Sequence, residues 1–199
     1  MARWISGRNR VLPGGDSITV GNDGLTGGWR RPLGVLALAA GKPIEWCGLF
    51  SDATGSHRGL ANESGSSGTL TTNWQAWCAG YAPDVIIIGW GINDAANGGA
   101  SGATILSMLE TRIDQAQAGA PNAAIFVQKI LRNAIPATAY NAQIDIANAG
   151  LPDLCTAQGV TFVDVGDPVR SDNVHPIDGP TGYDLMAAAL AAAIIPVLV

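Results

Sequence analysis

Residues 85–88 read Val-Ile-Ile-Ile, an uninterrupted run of β-branched apolar side chains. Successive side chains of a strand point to opposite faces of its sheet, so a strand with this sequence needs apolar cover on both faces. The run therefore predicts a central strand of a parallel sheet that has helices on both sides.

Further apolar runs alternate with helical patterns along the chain. The clearest helical pattern places Ile105, Leu109 and Ile113 on one face of an amphipathic helix. Strands separated by helices form βαβ units, whose strands are parallel and whose crossovers are right-handed. We therefore predict one α/β domain over residues 1–199, a three-layer α/β/α sandwich around a mostly five-stranded parallel sheet. The other predicted strands are Arg10–Leu12, Ile44–Phe50, Ala124–Lys129 and Val160–Val163, and the predicted helices are Gly28–Ala40, Leu70–Cys78, Ser101–Ala118, Ala137–Ala149 and Gly182–Ile195.

The size and charge of the chain narrow the classes of partner. A chain of 199 residues has the length of one domain, and 47% hydrophobic with 14% charged residues excludes a disordered protein. Because the net charge is −5, we expect neither nucleic acid nor an anionic membrane surface as a partner. The longest apolar run, Leu185–Val199, is too short to cross a bilayer. The sequence does not indicate an oligomeric state.

The N-terminus and the cysteines bear on the cellular compartment. The segment MARWISGRNRVL lacks the apolar run of a secretory signal, so we expect a cytoplasmic protein or the mature form of a secreted one. Cys47, Cys78 and Cys155 are too few and too widely spaced for a disulfide scaffold or a zinc knuckle. They allow one disulfide plus a free thiol, or three buried thiols. We favour the latter because free cysteine is among the most buried residue types.

Polar residues that could carry chemistry follow the predicted strands. The loops concerned are Gly15–Ser17, Ser51–Thr72, Gly89–Asp94 and Asp164–Asp184. In parallel α/β sheets the functional loops lie at the carboxyl ends of the strands. We therefore expect the functional site at this edge of the sheet.

His175 follows Asp172 by three residues and is one of only two histidines. A histidine that acts as a general base needs one ring nitrogen toward the nucleophile and the other held by an acceptor, commonly a carboxylate. Asp172 is near enough in sequence to be that acceptor, and Ser17, in the turn GGDSIT, is a candidate nucleophile. A surface turn with an incidental histidine, and a plain turn serine, would give the same local patterns.

Asn93 directly follows the buried run, in the segment GWGIND. Its amide can cap a helix or stabilise an oxyanion. Gly68 precedes a predicted helix and can offer its backbone N–H to an anion, and Gly65 is a competing candidate. For both glycines the alternative is loop filler.

Four short blocks, taken in order, resemble the motifs of the SGNH (GDSL-type) hydrolases. The blocks are GDSIT at Gly15–Thr19, NESGSSG at Asn62–Gly68, GIND at Gly91–Asp94 and DNVH at Asp172–His175. The resemblance extends over essentially the whole chain and implies a flavodoxin-like serine esterase without cofactor or metal. It implies that Ser17 is the nucleophile, His175 its base and Asp172 the partner of the base. The implied oxyanion hole consists of the backbone N–H groups of Ser17 and Gly68 and the amide of Asn93.

Longer stretches resemble the carbohydrate esterases that remove acetyl groups from xylan-type polysaccharides. These stretches are RVLPGGDSIT, GGWRRPLGVLALAAGKPIEWCG and HPIDGPTGYDLMAAAL. Two positions depart from that branch. Residues 63–68 stand where it usually has an acidic-Gly-His-Ser-Gly run, and Ile92 stands where it tends to have Thr. The implied substrate is an acetylated carbohydrate or another small acyl ester.

Other functions are alternatives to a carbohydrate esterase. A carboxylesterase, lipase or thioesterase of the same superfamily is the first alternative, and a carbohydrate-binding module without catalysis is the second. A nucleotide-binding domain is excluded because GGDSIT lacks the G-x-G-x-x-G layout.

Trp90, Asp16 and Gly65 are candidates for substrate contacts, although for Asp16 we favour a bond to its own loop. His57 and Arg30 are expected at the surface.

Overall fold

A computed structural model describes residues 9–21, 27–135 and 139–199. The strands within these ranges are Asn9–Gly15 (β1), Ile44–Trp46 (β2), Phe50–Asp52 (β3), Gly55–Gly59 (β4), Val85–Gly89 (β5), Ala124–Gln128 (β6) and Thr161–Val163 (β7). The helices are Ser17–Val20 (α1), Arg30–Ala39 (α2), Gly68–Tyr81 (α3), Ile92–Ala96 (α4), Gly102–Gly119 (α5), Ala139–Ala157 (α6) and Tyr183–Ile194 (α7).

The strands form one sheet in the order β3-β4-β1-β5-β6-β7, and β2 also pairs with β1. Every pairing is parallel except that of β3 with β4. From β1 the chain first adds strands on one side, and β5 then pairs with the other side of β1. The carboxyl ends of β1 and β5 therefore flank the topological switch point, where parallel α/β sheets bind their ligands.

Helices cover both faces of the sheet. The consecutive side chains of Ile86, Ile87 and Ile88 are fully buried, which requires apolar cover on both sides of β5. Helices α2 and α7 pack against each other, while α3, α5 and α6 form a second group. The predicted three-layer α/β/α fold is confirmed. None of the helices in the described ranges has the length and apolar character needed to cross a bilayer.

The segment predicted as one strand, Ile44–Phe50, is divided between β2 and β3. Gly48 separates the two strands at a φ of 153°, and a Cβ there would lie 2.2 Å from the backbone of His57. The following region, predicted as a polar loop, contains the hairpin of β3 and β4. Asp52 closes this hairpin because its Oδ1 accepts the backbone N–H groups of Thr54 and Gly55 at 2.8 and 3.2 Å. The hydropathy of the sequence did not predict either strand, because most of their side chains are polar.

Helix α6 is longer than the prediction of Ala137–Ala149. It begins at Ala139 and ends at Ala157, while residues 137–138 lie outside the described ranges. Proline in a helix interior removes a backbone donor and commonly ends the helix, yet α6 continues through Pro152. Leu151 and Cys155 are at most 1% exposed, so the packing of this last part of the helix outweighs the local signal to stop.

Candidate active site

The turn after β1 presents Ser17 at the carboxyl edge of the sheet. Asp16 caps α1 because its Oδ1 accepts the backbone N–H of Ile18 at 3.0 Å. Ser17 is then the first residue of α1 and is half-buried. A Cβ at Gly15 would lie 2.1 Å from Thr19 Oγ1, so only glycine lets the strand end this close to the helix.

Ser17, His175 and Asp172 form one hydrogen-bonded chain. Ser17 Oγ lies 2.8 Å from His175 Nε2, and His175 Nδ1 lies 2.7 Å from Asp172 Oδ2. The tautomer that donates Nδ1–H to Asp172 leaves Nε2 to accept the hydroxyl proton of Ser17. The structure therefore brings together three residues that are separated by up to 158 positions in the sequence.

The carboxylate of Asp172 is held in its ionised form by hydrogen bonds. Partial burial acts to raise the pKa of Asp172, but the backbone N–H and the ring of His175 and the N–H of Val174 lower it below its usual range. Both backbone groups donate to Oδ1, at 2.7 and 3.1 Å. Oδ2 is thus left to face the imidazole of His175.

The loop that carries Asp172 and His175 is fastened to its neighbours. Asn173, at a φ of 66°, accepts the backbone N–H of Ala134 through its own carbonyl at 2.7 Å. The segment containing Ala134 is in turn held by Asn141 of α6, whose side chain bonds to the backbone of Asn133 at 2.9 and 3.0 Å. The side chain of Asn141, which is 1% exposed, therefore helps to hold the loop that carries Asp172 and His175 in place.

Asn93 and Asp94 connect the loop after β5 to the loop before α3. Asn93 Nδ2 donates to the carbonyl of Glu63 at 3.1 Å. Asp94 accepts the backbone N–H of Gly65 at 2.7 Å and that of Ser66 at 2.9 Å. The two adjacent side chains therefore hold consecutive peptide groups of the segment Glu63–Ser66, which lies within the second of the four sequence blocks, Asn62–Gly68.

The two candidate glycines occupy different environments. The N–H of Gly65 is bonded to Asp94, and a Cβ at this residue would lie 2.3 Å from Met108 Sδ. Gly68 is the exposed first residue of α3. Within the described ranges it makes no hydrogen bond to Ser17 or Asn93. The backbone N–H groups of Ser64 and Ser17 also make no hydrogen bond within the described ranges.

The three residues expected to contact substrate are all buried. Trp90 is 1% exposed and packs edge-to-face on Trp74, with ring centroids 5.1 Å apart. It therefore has no free face for a sugar ring, which corrects that expectation. Asp16 is also 1% exposed, and its burial raises its pKa to about 7. Gly65 lies under Met108, so none of the three offers a surface to substrate.

His57 and Arg30, expected at the surface, lie in a buried cluster beside α1. Arg30 forms an ion pair with Asp52 and donates from Nε to the carbonyl of Thr19 at 2.9 Å. His57 Nδ1 accepts the N–H of Gly59 at 3.1 Å, and Nε2 lies 3.5 Å from Asp52 Oδ2. Burial and the charge of Arg30 lower the pKa of His57 to about 4. His57 therefore supports the fold as a neutral side chain.

The sequence and the fold are similar to known esterases. The GDSL-like lipase/acylhydrolase family matches residues 15–185 of the chain. A carbohydrate esterase family 3 structure from Talaromyces cellulolyticus has a TM-score of 0.81 and 21% identity, over 94% of this chain and 97% of that one. A mutant acetyl esterase with an acetate ion has a TM-score of 0.80 and 20% identity, over 94% and 97%. A family 3 carbohydrate esterase from Clostridium thermocellum has a TM-score of 0.75 and 22% identity, over 95% and 98%.

These identities show a shared fold, and no curated protein matches the chain significantly. The family match is more specific, because it runs from the turn that carries Ser17 to the loop that carries His175. With the match spanning most of the sequence, the chain belongs to the GDSL-like lipase/acylhydrolase family and is a hydrolase that acts on esters.

Proposed function

We propose that this protein is a serine esterase that removes short acyl groups, chiefly acetyl, from carbohydrate esters. The observation that carries the proposal is the hydrogen-bonded chain from Ser17 through His175 to Asp172 at the switch point of the sheet. A hydroxyl held 2.8 Å from an imidazole, with a carboxylate behind it, is the arrangement that activates serine for attack on an ester carbonyl.

In the first step Ser17 Oγ attacks the carbonyl carbon while His175 Nε2 takes the hydroxyl proton. Asp172 stabilises the imidazolium that results, and its lowered pKa keeps it charged. When the tetrahedral intermediate collapses, the bond to the alcohol breaks and His175 gives its proton to the leaving oxygen. The products are a free carbohydrate hydroxyl and an acyl group on Ser17.

In the second step water attacks the acyl group. His175 takes a proton from the water, and Ser17 regains a proton from His175 when the acid leaves. Because Asp172 is bonded to the backbone through Oδ1, its Oδ2 holds the imidazole in the same orientation in both steps. The net reaction consumes one water and releases one carboxylic acid.

The negative oxygen of both intermediates needs hydrogen-bond donors. The N–H of Ser17 and the second amide N–H of Asn93 serve in this role, since the first amide N–H is taken by the carbonyl of Glu63. For the third donor we propose the N–H of Gly68, the first residue of α3. Gly68 is exposed, and the first turn of a helix presents backbone N–H groups that can bind an anion.

The preference for acetyl esters of carbohydrates is supported by the similarity of this chain to other esterases. The chain shares long motif stretches with acetyl-removing carbohydrate esterases, and two similar structures are carbohydrate esterases of family 3. A third is a mutant acetyl esterase with an acetate ion. A broader carboxylesterase, lipase or thioesterase would use the same three residues on longer chains, so the acyl preference is a separate measurement.

The test compares aryl acetate, butyrate and octanoate with acetate release from acetylated xylan. We expect the highest turnover on acetyl substrates, and loss of activity in Ser17→Ala and His175→Ala. Ser107→Ala is the matched control, because Ser107 is an exposed serine on α5. A profile that peaks at octanoate would refute the acetyl preference. Unchanged turnover in Ser17→Ala, or no phosphonate adduct at Ser17, would refute the mechanism itself.

A further inference from the structure

A buried ion pair lies beneath the loop that contacts Asn93. Arg58 of β4 donates from Nη1 to Glu63 Oε2 at 2.9 Å and from Nη2 to Glu63 Oε1 at 2.8 Å. The two side chains are 1% and 3% exposed, so the pair is removed from solvent. The guanidinium also stacks on Trp77, with its central carbon 4.4 Å from the ring centroid.

Stability alone is a poor explanation for such a pair. Two charges lose their hydration when they are buried, and well-packed apolar side chains of similar volume are often equally stabilising. A two-bonded Arg–carboxylate contact does fix geometry, because the planar guanidinium fork matches the carboxylate in one orientation. We therefore expect this pair to orient the residues that are joined to it.

The residues joined to the pair belong to the candidate active site. Arg58 lies opposite Gly14 in the pairing of β4 with β1, just before the turn that carries Ser17. Glu63 accepts the amide of Asn93 through its backbone carbonyl at 3.1 Å. The hydroxyl of Ser67, which caps α3, lies 3.5 Å from Glu63 Oε1. Glu63 thus connects the edge of the sheet, the start of α3 and Asn93.

We propose that the Arg58–Glu63 pair is a positioning device for the oxyanion hole, an inference that rests on the proposed function. The pair fixes the backbone of Glu63, whose carbonyl engages one N–H of the Asn93 amide and sets the rotation of the amide plane. The second N–H of the Asn93 amide is then aimed toward the oxyanion. Neither Arg58 nor Glu63 contacts substrate.

The test measures kcat and KM separately on an aryl acetate. Arg58→Met alone leaves a buried carboxylate without its partner, so the main variant is the double change Arg58→Met/Glu63→Leu, whose folding is checked by a thermal melt. We expect kcat to fall by about 10- to 100-fold while KM changes by less than about threefold, because the donor acts in the transition state. Arg58→Lys keeps the charge without the planar fork and should give an intermediate kcat.

A purely structural pair would lower activity whether or not Asn93 is present. In an Asn93→Ala background we therefore expect the double change to lower kcat by less than about twofold further, because the group it positions is gone. The control is Arg10→Met, since Arg10 lies at the start of β1, at the end opposite Ser17, and its side chain contacts Glu45 and not the loop of Glu63. This control should retain kcat.

Two outcomes would overturn the inference. One is wild-type kcat in a folded double variant, and the other is an equal loss of kcat with and without Asn93. Failure of the proposed function looks different, because wild-type protein and Ser17→Ala would then hydrolyse the aryl acetate equally. An active wild type that needs Ser17 but ignores the ion pair refutes this inference alone.

Discussion

Asp16 and His57 are buried titratable side chains beside Ser17 whose pKa values move in a direction that favours the neutral form. Burial, with the nearby charges of Asp94 and Glu63, raises the pKa of Asp16 to about 7. Burial and Arg30 lower the pKa of His57 to about 4. Burial disfavours the charged form of either group, so a carboxyl and an imidazole shift in opposite directions. The two groups consequently make opposite contributions to the pH dependence of stability.

The variant Asp16→Asn should remove one of these contributions. Between about pH 4 and pH 7 the unfolded chain has released the Asp16 proton while the native state retains it, so raising the pH favours unfolding of the wild type. Asparagine keeps the helix cap without titrating. We expect the unfolding free energy of the wild type, relative to the variant, to fall by about 1.4 kcal/mol per pH unit in this range.

Denaturant unfolding of both proteins at several pH values measures this difference. The contribution of His57 has the opposite sign, because the protein loses stability as the pH falls from about 6.5 toward the lowered pKa of His57. His57 is present in both proteins, so its contribution cancels in the difference. Parallel curves for the two proteins would show that Asp16 is ionised in the native state well below neutral pH.

A proline at residue 68 tests whether Gly68 is the third oxyanion donor. Gly68 is the first residue of α3, and no atom lies within 4 Å of where its Cβ would be. Proline is well accepted at the first helical position and removes the backbone N–H. We expect Gly68→Pro to lower kcat by about 100-fold or more, while Gly68→Ala, which keeps the N–H, retains wild-type kcat. Wild-type kcat in a folded Gly68→Pro variant would show that Gly68 is not the donor.

At the scale of elements, helix–sheet packing decided several boundaries that local sequence did not. The hairpin β3–β4 is polar, and it is specified by a turn at Asp52 and by its contacts with β1 and Arg30. Arg58 and Glu63 were missed for the same reason, since charged residues in a polar stretch predict exposure. The only sequence signal for them is an arginine five residues before a glutamate. Their burial depends on Trp77 of a separate helix.

Two mid-helix glycines should respond differently to alanine. A Cβ at Gly34 in α2 would lie 3.6 Å from Trp46 Nε1, an ordinary contact, whereas a Cβ at Gly150 in α6 would lie 2.6 Å from Leu106 Cδ1. We expect Gly34→Ala to stabilise the protein by about 0.5–1 kcal/mol, because glycine is costly in a helix interior. Gly150→Ala should gain less or lose stability, because Leu106 must move. Thermal melts of both variants test this, and equal shifts would contradict it.

At the scale of the whole molecule, the apolar core encloses all three cysteines. Cys47, Cys78 and Cys155 are free thiols with exposures of 5%, 0% and 1%. Burial raises the pKa of Cys47 to about 12, of Cys78 to about 12 and of Cys155 to about 11. The thiolate is the reactive form, so the native protein combines blocked access with a very small thiolate population.

We expect the native protein to react slowly with a disulfide reagent at about pH 8, where unperturbed thiols react readily. In denaturant without reductant, all three thiols of the chain should react. Reductant should leave the melting temperature unchanged. One reactive thiol per denatured chain would reveal the disulfide that the sequence also allowed.

The sequence alone determined the layered α/β fold, because runs such as residues 85–88 can be satisfied only by cover on both faces of a sheet. It also nominated Ser17, Asn93, Asp172 and His175, since their motifs are local in the chain and follow strand ends. Only the tertiary structure decided that Trp90 and Asp16 are enclosed and that His57 is internal. It also showed that Asp94 occupies the N–H of Gly65. These outcomes depend on contacts between segments far apart in sequence, whose distances and burial no local pattern encodes.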